Sequence, residues 1–206
     1  MRNKLRKKGL VLGITGSYCC GKTTVAGMFA RLGASCINVD AIYRRFIKPR
    51  GLLYERIVSA FGRDVLGNNK QIDRKKLAKI VFGENEALKR LCRITHPAII
   101  KRMNAELSRL KRVKRCAVII IDAPLLIEAG LLDLVDKSIA VKAGERNQIA
   151  RCKRQRGASG AEVIKRIRSQ APQAEKIKLA DYVINNNGTL KQTREQVKDI
   201  WRKVRG

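Results

Sequence analysis

Five short apolar runs limit what this chain can fold into: LVLGIT (10–15), SCINVD (35–40), CAVIIID (116–122), KSIAVK (137–142) and DYVIN (181–185). They are continuous or nearly so, without clean alternation. Strands buried on both faces of a parallel sheet read this way, whereas half-solvated antiparallel strands alternate. The segments between them are rich in Ala, Leu, Lys, Arg and Glu and carry helical patterning. Strand and helix in alternation predict an α/β doubly wound parallel sheet of about five strands.

A chain of 206 residues suggests one compact domain with a smaller inserted subdomain. At this length about 70% of the unfolded surface can be buried, so no disulfide staple is required. The interval from Ala41 to Arg115 is much longer than the dozen or so residues a parallel crossover needs. Its stretches RKKLAKIVF, NEALKRLCRI and PAIIKRMNAELSRL are helical in pattern, so it reads as an inserted helical subdomain. GNNK (67–70) and RGASG (156–160) read as turns. LKQTREQVKDIWRKV predicts a closing amphipathic helix with Leu190, Val197, Ile200 and Val204 on its apolar face and Trp201 as packing.

Chemistry enters right after the first run. Gly16-Ser17-Tyr18-Cys19-Cys20-Gly21-Lys22-Thr23 satisfies G-x-x-x-x-G-K-[ST]. It follows a predicted strand and opens a predicted helix, TTVAGMFARLG, which is the context a P-loop requires. Backbone N–H groups of such a loop cradle phosphates at a helix N-terminus. Lys22 is expected to bridge the β- and γ-phosphates, and the Thr23 hydroxyl to bind Mg²⁺. Cys19 and Cys20 stand where small residues are usual, and the loop tolerates them if φ at Cys19 is negative. They are expected to be reduced, although a thiol near a helix N-terminus has a lowered pKa and is open to oxidation.

Two of the runs end in aspartate, at Asp40 and Asp122. Ligands of open α/β sheets lie beyond the carboxyl ends of the strands. Asp122 is placed like a Walker-B acid that holds Mg²⁺ directly or through water. Asp40 is placed to accept a proton from an attacking hydroxyl. Both positions are also compatible with helix capping. After the fourth run, ERNQIARCKRQRG gathers Arg146, Arg151, Lys153, Arg154 and Arg156. A helix puts Arg151 and Arg154 on nearly the same face, where they could neutralise a transferring phosphoryl group. An ordinary basic helix reads the same way.

The balance of 46 Lys+Arg against 17 Asp+Glu gives a formal charge of +29. Such a field attracts nucleic acid, anionic membrane or polyphosphate metabolites, and charge alone does not choose among them. A non-enzymatic RNA-binding reading predicts aromatic stacking residues, yet aromatics make up only 4% of the chain. The six cysteines form no C-x-x-C pair, which argues against a zinc or thioredoxin-like motif. Cys36 and Cys116 lie in apolar runs as small hydrophobes, as in a reducing cytoplasm. The start, MRNKLRKKGLVLGI, has too short an apolar part for a signal peptide, and no run approaches a membrane span. A cytoplasmic protein with no membrane partner is expected.

Beyond the P-loop, an ordered set of motifs resembles the dephospho-coenzyme A kinase family: INVDAIYR (37–44), IDRKKLAKIVF (72–82), THPAI (95–99), IDAPLLIEAGL (121–131), QIAR (148–151), RIRSQ (166–170) and ADYVINNNG (180–188). The resemblance spans roughly Gly9 to Trp201. It implies ATP as phosphate donor, Mg²⁺ as cofactor and the ribose 3′-hydroxyl of dephospho-CoA as acceptor. It implies one domain over 1–206, with a nucleotide-binding core of 9–40, 116–144 and 180–206, a helical acceptor-binding subdomain of 41–115 and a lid of 145–179. By the same resemblance Asp40 meets the 3′-hydroxyl, and Asp40, Lys22 and Arg151 form the catalytic group. Gly16 through Thr24, including Thr24 itself, line the phosphates together with Arg154 or Arg156. Asn186 and Gly188 lie on the loop passing the adenine. Arg44, His96, Pro124, Leu125 and Glu128 fall on the acceptor side, although His96, followed by proline, fits a helix start equally well.

The chain departs from the family pattern at Ser17, Cys19 and Cys20, where glycine-rich residues are usual, and at Gln155, where the second lid arginine aligns. The family's following aspartate aligns on Arg156, so either Arg154 or Arg156 takes the missing arginine's place. A monomer with no dedicated nucleic-acid partner is expected. Another P-loop nucleoside or nucleotide kinase is the alternative enzyme, but DAPLLIEAGL lacks the glycine-arginine stretch suited to a monophosphate.

Overall fold

The computed structural model describes residues 9–81, 83–113 and 118–205. Five parallel strands form one sheet in the order β2-β3-β1-β4-β5. They are β1 (Leu10–Thr15), β2 (Ser35–Asn38), β3 (Val118–Asp122), β4 (Lys137–Lys142) and β5 (Tyr182–Asn185). Burial follows position. All five residues of β3 are buried, whereas edge strands β2 and β5 each bury one. Central strands covered on both faces need apolar residues at every position, which explains the unbroken VIII. Each such fully buried aliphatic side chain contributes about 1.5–3 kcal/mol over an exposed one.

Two boundaries differ from the sequence expectation. β2 ends at Asn38, and Val39–Phe46 forms helix α2, so Asp40 sits in a first helical turn and does not end a strand. A carboxylate is favourable there, beside the positive end of the helix dipole. β5 starts one residue later than expected because Asp181 turns to the neighbouring strand. Its carboxylate accepts from Ser138 N (2.8 Å) and Ser138 Oγ (3.0 Å) and pairs with Lys137 Nζ (2.7 Å). The run expected from residue 116 begins at Val118 among the described residues, and Cys116 lies outside them.

The chain divides into two compact units, one running to Asn38 and resuming at Leu107, the other Val39–Glu106. In the first unit, α1 (Lys22–Arg31) and the last helix, α9 (Leu190–Arg205), pack on the sheet through Val25, Met28, Phe29, Val197 and Ile200. Trp201 lies against Phe29, with ring centroids 6.3 Å apart. Leu190, expected on the apolar face of α9, is 60% exposed because it is the helix's first residue, one turn before Thr193 enters the core. Three further helices follow β4: α6 (Glu145–Arg156), α7 (Gly160–Arg168) and α8 (Gln173–Leu179). α7 starts with a capping box, Ser159 and Glu162 satisfying each other's backbone N–H.

The second unit holds α2, α3 (Tyr54–Phe61), α4 (Arg74–Val81) and most of α5 (Asn85–Val113) around Leu53, Ile57, Val65, Leu77 and Val81. α5 runs through Pro97, so His96 lies inside a helix and does not start one. Proline removes one backbone donor there. Burial lowers the His96 pKa.

The Asp181 cluster predicts an acid dependence. Hydrogen bonding to Lys137 and Ser138 holds the Asp181 carboxyl below its ordinary value. A depressed folded-state pKa stabilises fully above the unfolded carboxylate range, and that stabilisation is lost as pH falls through the folded value. Asp181→Asn is therefore expected to lower the urea midpoint at pH 7, with the gap to the parent closing towards pH 2. A gap that stays constant over that range would show that the charge is not what matters.

Candidate active site

The loop between β1 and α1 is built from the residues the motif named. Gly16 (φ 146°) passes so close to β4 that a Cβ would sit 2.4 Å from Val141 O. Gly21 has φ 99°, and a Cβ there would meet Asn186 Nδ2 at 2.1 Å. Both positions require glycine on conformation and on space. Ser17 and Cys20 are buried, and Cys20 N donates to Ser17 O (3.2 Å). Lys22, half-buried, and Thr23 and Thr24, both exposed, form the first turn of α1, which contains no acidic residue. A helix start without carboxylates keeps its partial positive charge available to an anion.

Cys19 departs from expectation in two ways. Its φ is +58°, so the loop holds a non-glycine residue in the left-handed region, at a cost of roughly 1–2 kcal/mol. Nor is it a free thiol: its sulfur is bonded to that of Cys152 on α6, 133 residues away. Cys20 remains a free, buried thiol whose pKa burial pushes up, against the opposing charge of Lys22.

At the carboxyl edge of the sheet, Asp122 is 4% exposed and ends β3. Its Oδ2 accepts from the Thr23 hydroxyl (3.2 Å) and from Asn38 Nδ2 (3.2 Å). Thr23 and Asp122, each expected to bind Mg²⁺, are thus in direct contact. One carboxylate beside one hydroxyl suits Mg²⁺, which keeps several waters and takes the rest of its ligands from substrate phosphates. No group of three or more His, Cys, Asp or Glu that could cage a metal occurs among the described residues.

The α6–α8 segment reaches the loop through side chains. Arg151 donates from Nη1 to Cys20 O (3.1 Å) and from Nη2 to Asn186 O (2.6 Å). Gln148 Nε2 donates to Tyr18 O (2.8 Å), and Gln170 Oε1 accepts from Tyr18 N (2.9 Å). The Tyr18 hydroxyl accepts from Arg156 (3.2 Å) and Arg166 (2.9 Å), and both guanidiniums lie over its ring. Of the two candidates for the missing lid arginine, Arg156 therefore points to the loop. Arg154 is exposed. Arg166 opens the RIRSQ motif, but nothing in its spacing marks it as a loop contact.

Asn186 is 4% exposed and braces the loop from behind: its Nδ2 donates to Cys20 O (2.8 Å) and its Oδ1 accepts from Thr193 Oγ1 (2.8 Å). Gly188 lies two residues on, where a Cβ would meet Gln192 Oε1 at 2.2 Å. Leu125 is exposed, while Pro124 and Glu128 are tied to α8. Fully buried Lys176 donates to Pro124 O (3.1 Å) and pairs with Glu128 Oε1 (2.6 Å), which also accepts from Ala171 N (3.1 Å). The Glu128 carboxylate, expected on the acceptor side, is held in place by these two contacts. Removing the cation would leave the carboxylate without its main partner, so Lys176→Met is expected to cost roughly 3 kcal/mol, measured as a shift in urea midpoint.

In the second unit, the Arg44 guanidinium donates to Asp40 O (3.3 Å), and the Asp40 and Arg44 side chains are exposed. Burial, reinforced by the Asp40 charge against that of Arg74, pushes the Tyr43 hydroxyl up to about 12.

A phosphate loop at the carboxyl edge of a parallel sheet, a hydroxyl–carboxylate pair beside it and basic helices folded over it define the P-loop kinase class. The dephospho-CoA kinase family model matches residues 10–192. The dephospho-CoA kinase of Carboxydothermus hydrogenoformans is 39% identical over 195 residues, covering 94% of this chain and 93% of that protein. Among solved structures, TT1252 from Thermus thermophilus superposes with a TM-score of 0.80 at 30% identity, covering 97% of this chain and all of that one. Dephospho-CoA kinase from Campylobacter jejuni superposes with a TM-score of 0.65 at 28% identity, covering 94% and 96%. The chain belongs to the dephospho-CoA kinase family. None of the described helices is long and apolar enough to cross a membrane.

Proposed function

We propose that this chain transfers the γ-phosphoryl group of ATP to the ribose 3′-hydroxyl of dephospho-CoA, giving CoA and ADP. The contact between Thr23 and Asp122 carries the reading, because a hydroxyl and a carboxylate side by side next to the phosphate loop suit Mg²⁺. Loop amides and Lys22 hold the β- and γ-phosphates. Thr23 and Asp122 would hold Mg²⁺, which would supply charge neutralisation for the phosphates. Asp40 follows Asn38, a partner of Asp122, by two residues, and it accepts the hydroxyl proton as the oxygen attacks. Arg151 and Arg156 stabilise charge on the transferring group and help exclude water, which would otherwise compete as acceptor.

The test is ADP release with ATP and Mg²⁺ under reducing conditions, comparing dephospho-CoA with AMP, adenosine and no acceptor. Strong stimulation by dephospho-CoA alone is expected. Equal or greater stimulation by AMP or adenosine would replace this reading with a nucleoside or nucleotide kinase. No stimulation by any acceptor would reject kinase activity.

A further inference from the structure

We propose that Cys19 and Cys152 are a reversible oxidative modification site, a disulfide that fastens the phosphate loop to α6 and slows turnover until a thiol reductant opens it. The Cα atoms are 5.9 Å apart, inside the range a bridge needs. Cys19 lies mid-loop between Tyr18 and Cys20, and Cys152 is fully buried on α6.

The bond lies within a seam of weaker contacts. Gln148, Arg151 and Cys152 share one face of α6 by their three- and four-residue spacing. They meet the loop at Tyr18 O, Cys20 O and the Cys19 sulfur respectively. Hydrogen bonds along this seam can break and re-form in each catalytic cycle, but a covalent bond cannot. Arg156 lies one turn beyond Cys152, with its guanidinium on Tyr18. A shift of the end of α6 relative to the loop would carry Arg156 from Tyr18 towards a phosphoryl group. Lid motions of this kind gate substrate entry and product release, so a pinned helix slows both.

The remaining described thiols are poor competitors. Cys20 is buried, and burial pushes its pKa up. Cys36 is pushed up to about 11, and burial raises that of Cys92. Cys19 is half-buried on the loop, whereas Cys152 is fully buried, so an oxidant reaches Cys19 first. With hydrogen peroxide as oxidant, the Cys19 thiolate attacks one oxygen and the O–O bond breaks, giving a sulfenic acid and hydroxide. The Cys152 thiol then attacks that sulfur, the S–S bond forms and water leaves. In sum, two thiols and one peroxide give one disulfide and two waters. A dithiol reductant reverses the bond and is itself oxidised to a disulfide.

The experiment compares the reduced and peroxide-treated full chain by non-reducing peptide mapping, kinase assay and release of the fluorescent analogue mant-ATP. The expected results are a linked Cys19–Cys152 peptide, kcat lower by on the order of tenfold and slower mant-ATP release, all reversed by dithiothreitol. Cys152→Ala, with Cys152→Ser as a second variant, is expected to keep parent kcat and to resist the oxidant. The proposal is overturned if thiols are consumed without the linked peptide. It also falls if the linked enzyme releases nucleotide at the reduced rate, or if both variants lose activity as the parent does. The activity arm rests on the kinase reading. Peptide mapping and nucleotide release do not, so a reduced enzyme that binds mant-ATP but phosphorylates nothing would sink that reading while still deciding this one.

Discussion

Asp40→Asn is expected to fold and bind ATP like the parent while kcat for dephospho-CoA falls by roughly 10²–10⁴, the range for loss of a general base. The structural cost is small because the side chain is exposed in the first turn of α2. Asparagine keeps the shape and hydrogen-bonding reach but cannot take up a proton. Its other effect, a weaker interaction with the helix dipole, is worth about 0.3–1 kcal/mol. A thermal melt and a kcat measurement therefore separate the two roles. A variant as active as the parent would remove Asp40 as the base, and one that fails to fold would make it a structural residue.

Arg151→Met carries the second large effect. One guanidinium holds two carbonyls, those of Cys20 and Asn186, which belong to the loop and to the turn after β5. It is thus both a brace for the phosphate loop and a cation beside it. Loss of one preorganised donor to developing charge costs roughly 10²–10³ in kcat. Lysine should recover little, because a single ammonium does not reproduce a fork that meets two carbonyls at once. The split between constants is diagnostic. A fall in kcat with little change in KM for ATP supports a transition-state role, whereas a raised KM at constant kcat would reduce Arg151 to a brace.

Most of the sheet was legible because its signal is local. Apolar runs bounded by polar or turn residues mark β1 and β4 to the residue. The end of β2 was misread because Val39 and Asp40 continue the apolar-then-acid pattern of a strand while already forming the first turn of α2. The P-loop was legible for the same local reason, and so was the approach of Thr23 to Asp122, because Thr23 opens the helix that follows β1 and Asp122 ends the neighbouring strand β3. Long-range pairings were not legible. Nothing near Cys19 points to Cys152, and nothing near Lys176 points to Glu128. The left-handed backbone at Cys19 was missed because only the tertiary fit of the loop, bonded at Cys19 and braced through Cys20 by Arg151 and Asn186, imposes it.

The pairing of Trp201 with Phe29 gives the molecule a built-in optical reporter. The chain has one tryptophan, and it lies in the unit that carries the sheet. Its emission follows the unpacking of α9 from α1, whereas far-ultraviolet circular dichroism weighs the helices of both units. Overlaying the two signals along a single urea titration turns a question about cooperativity into a comparison of two curves. Coincident midpoints mean that the units melt together, and separated ones mean that each melts on its own.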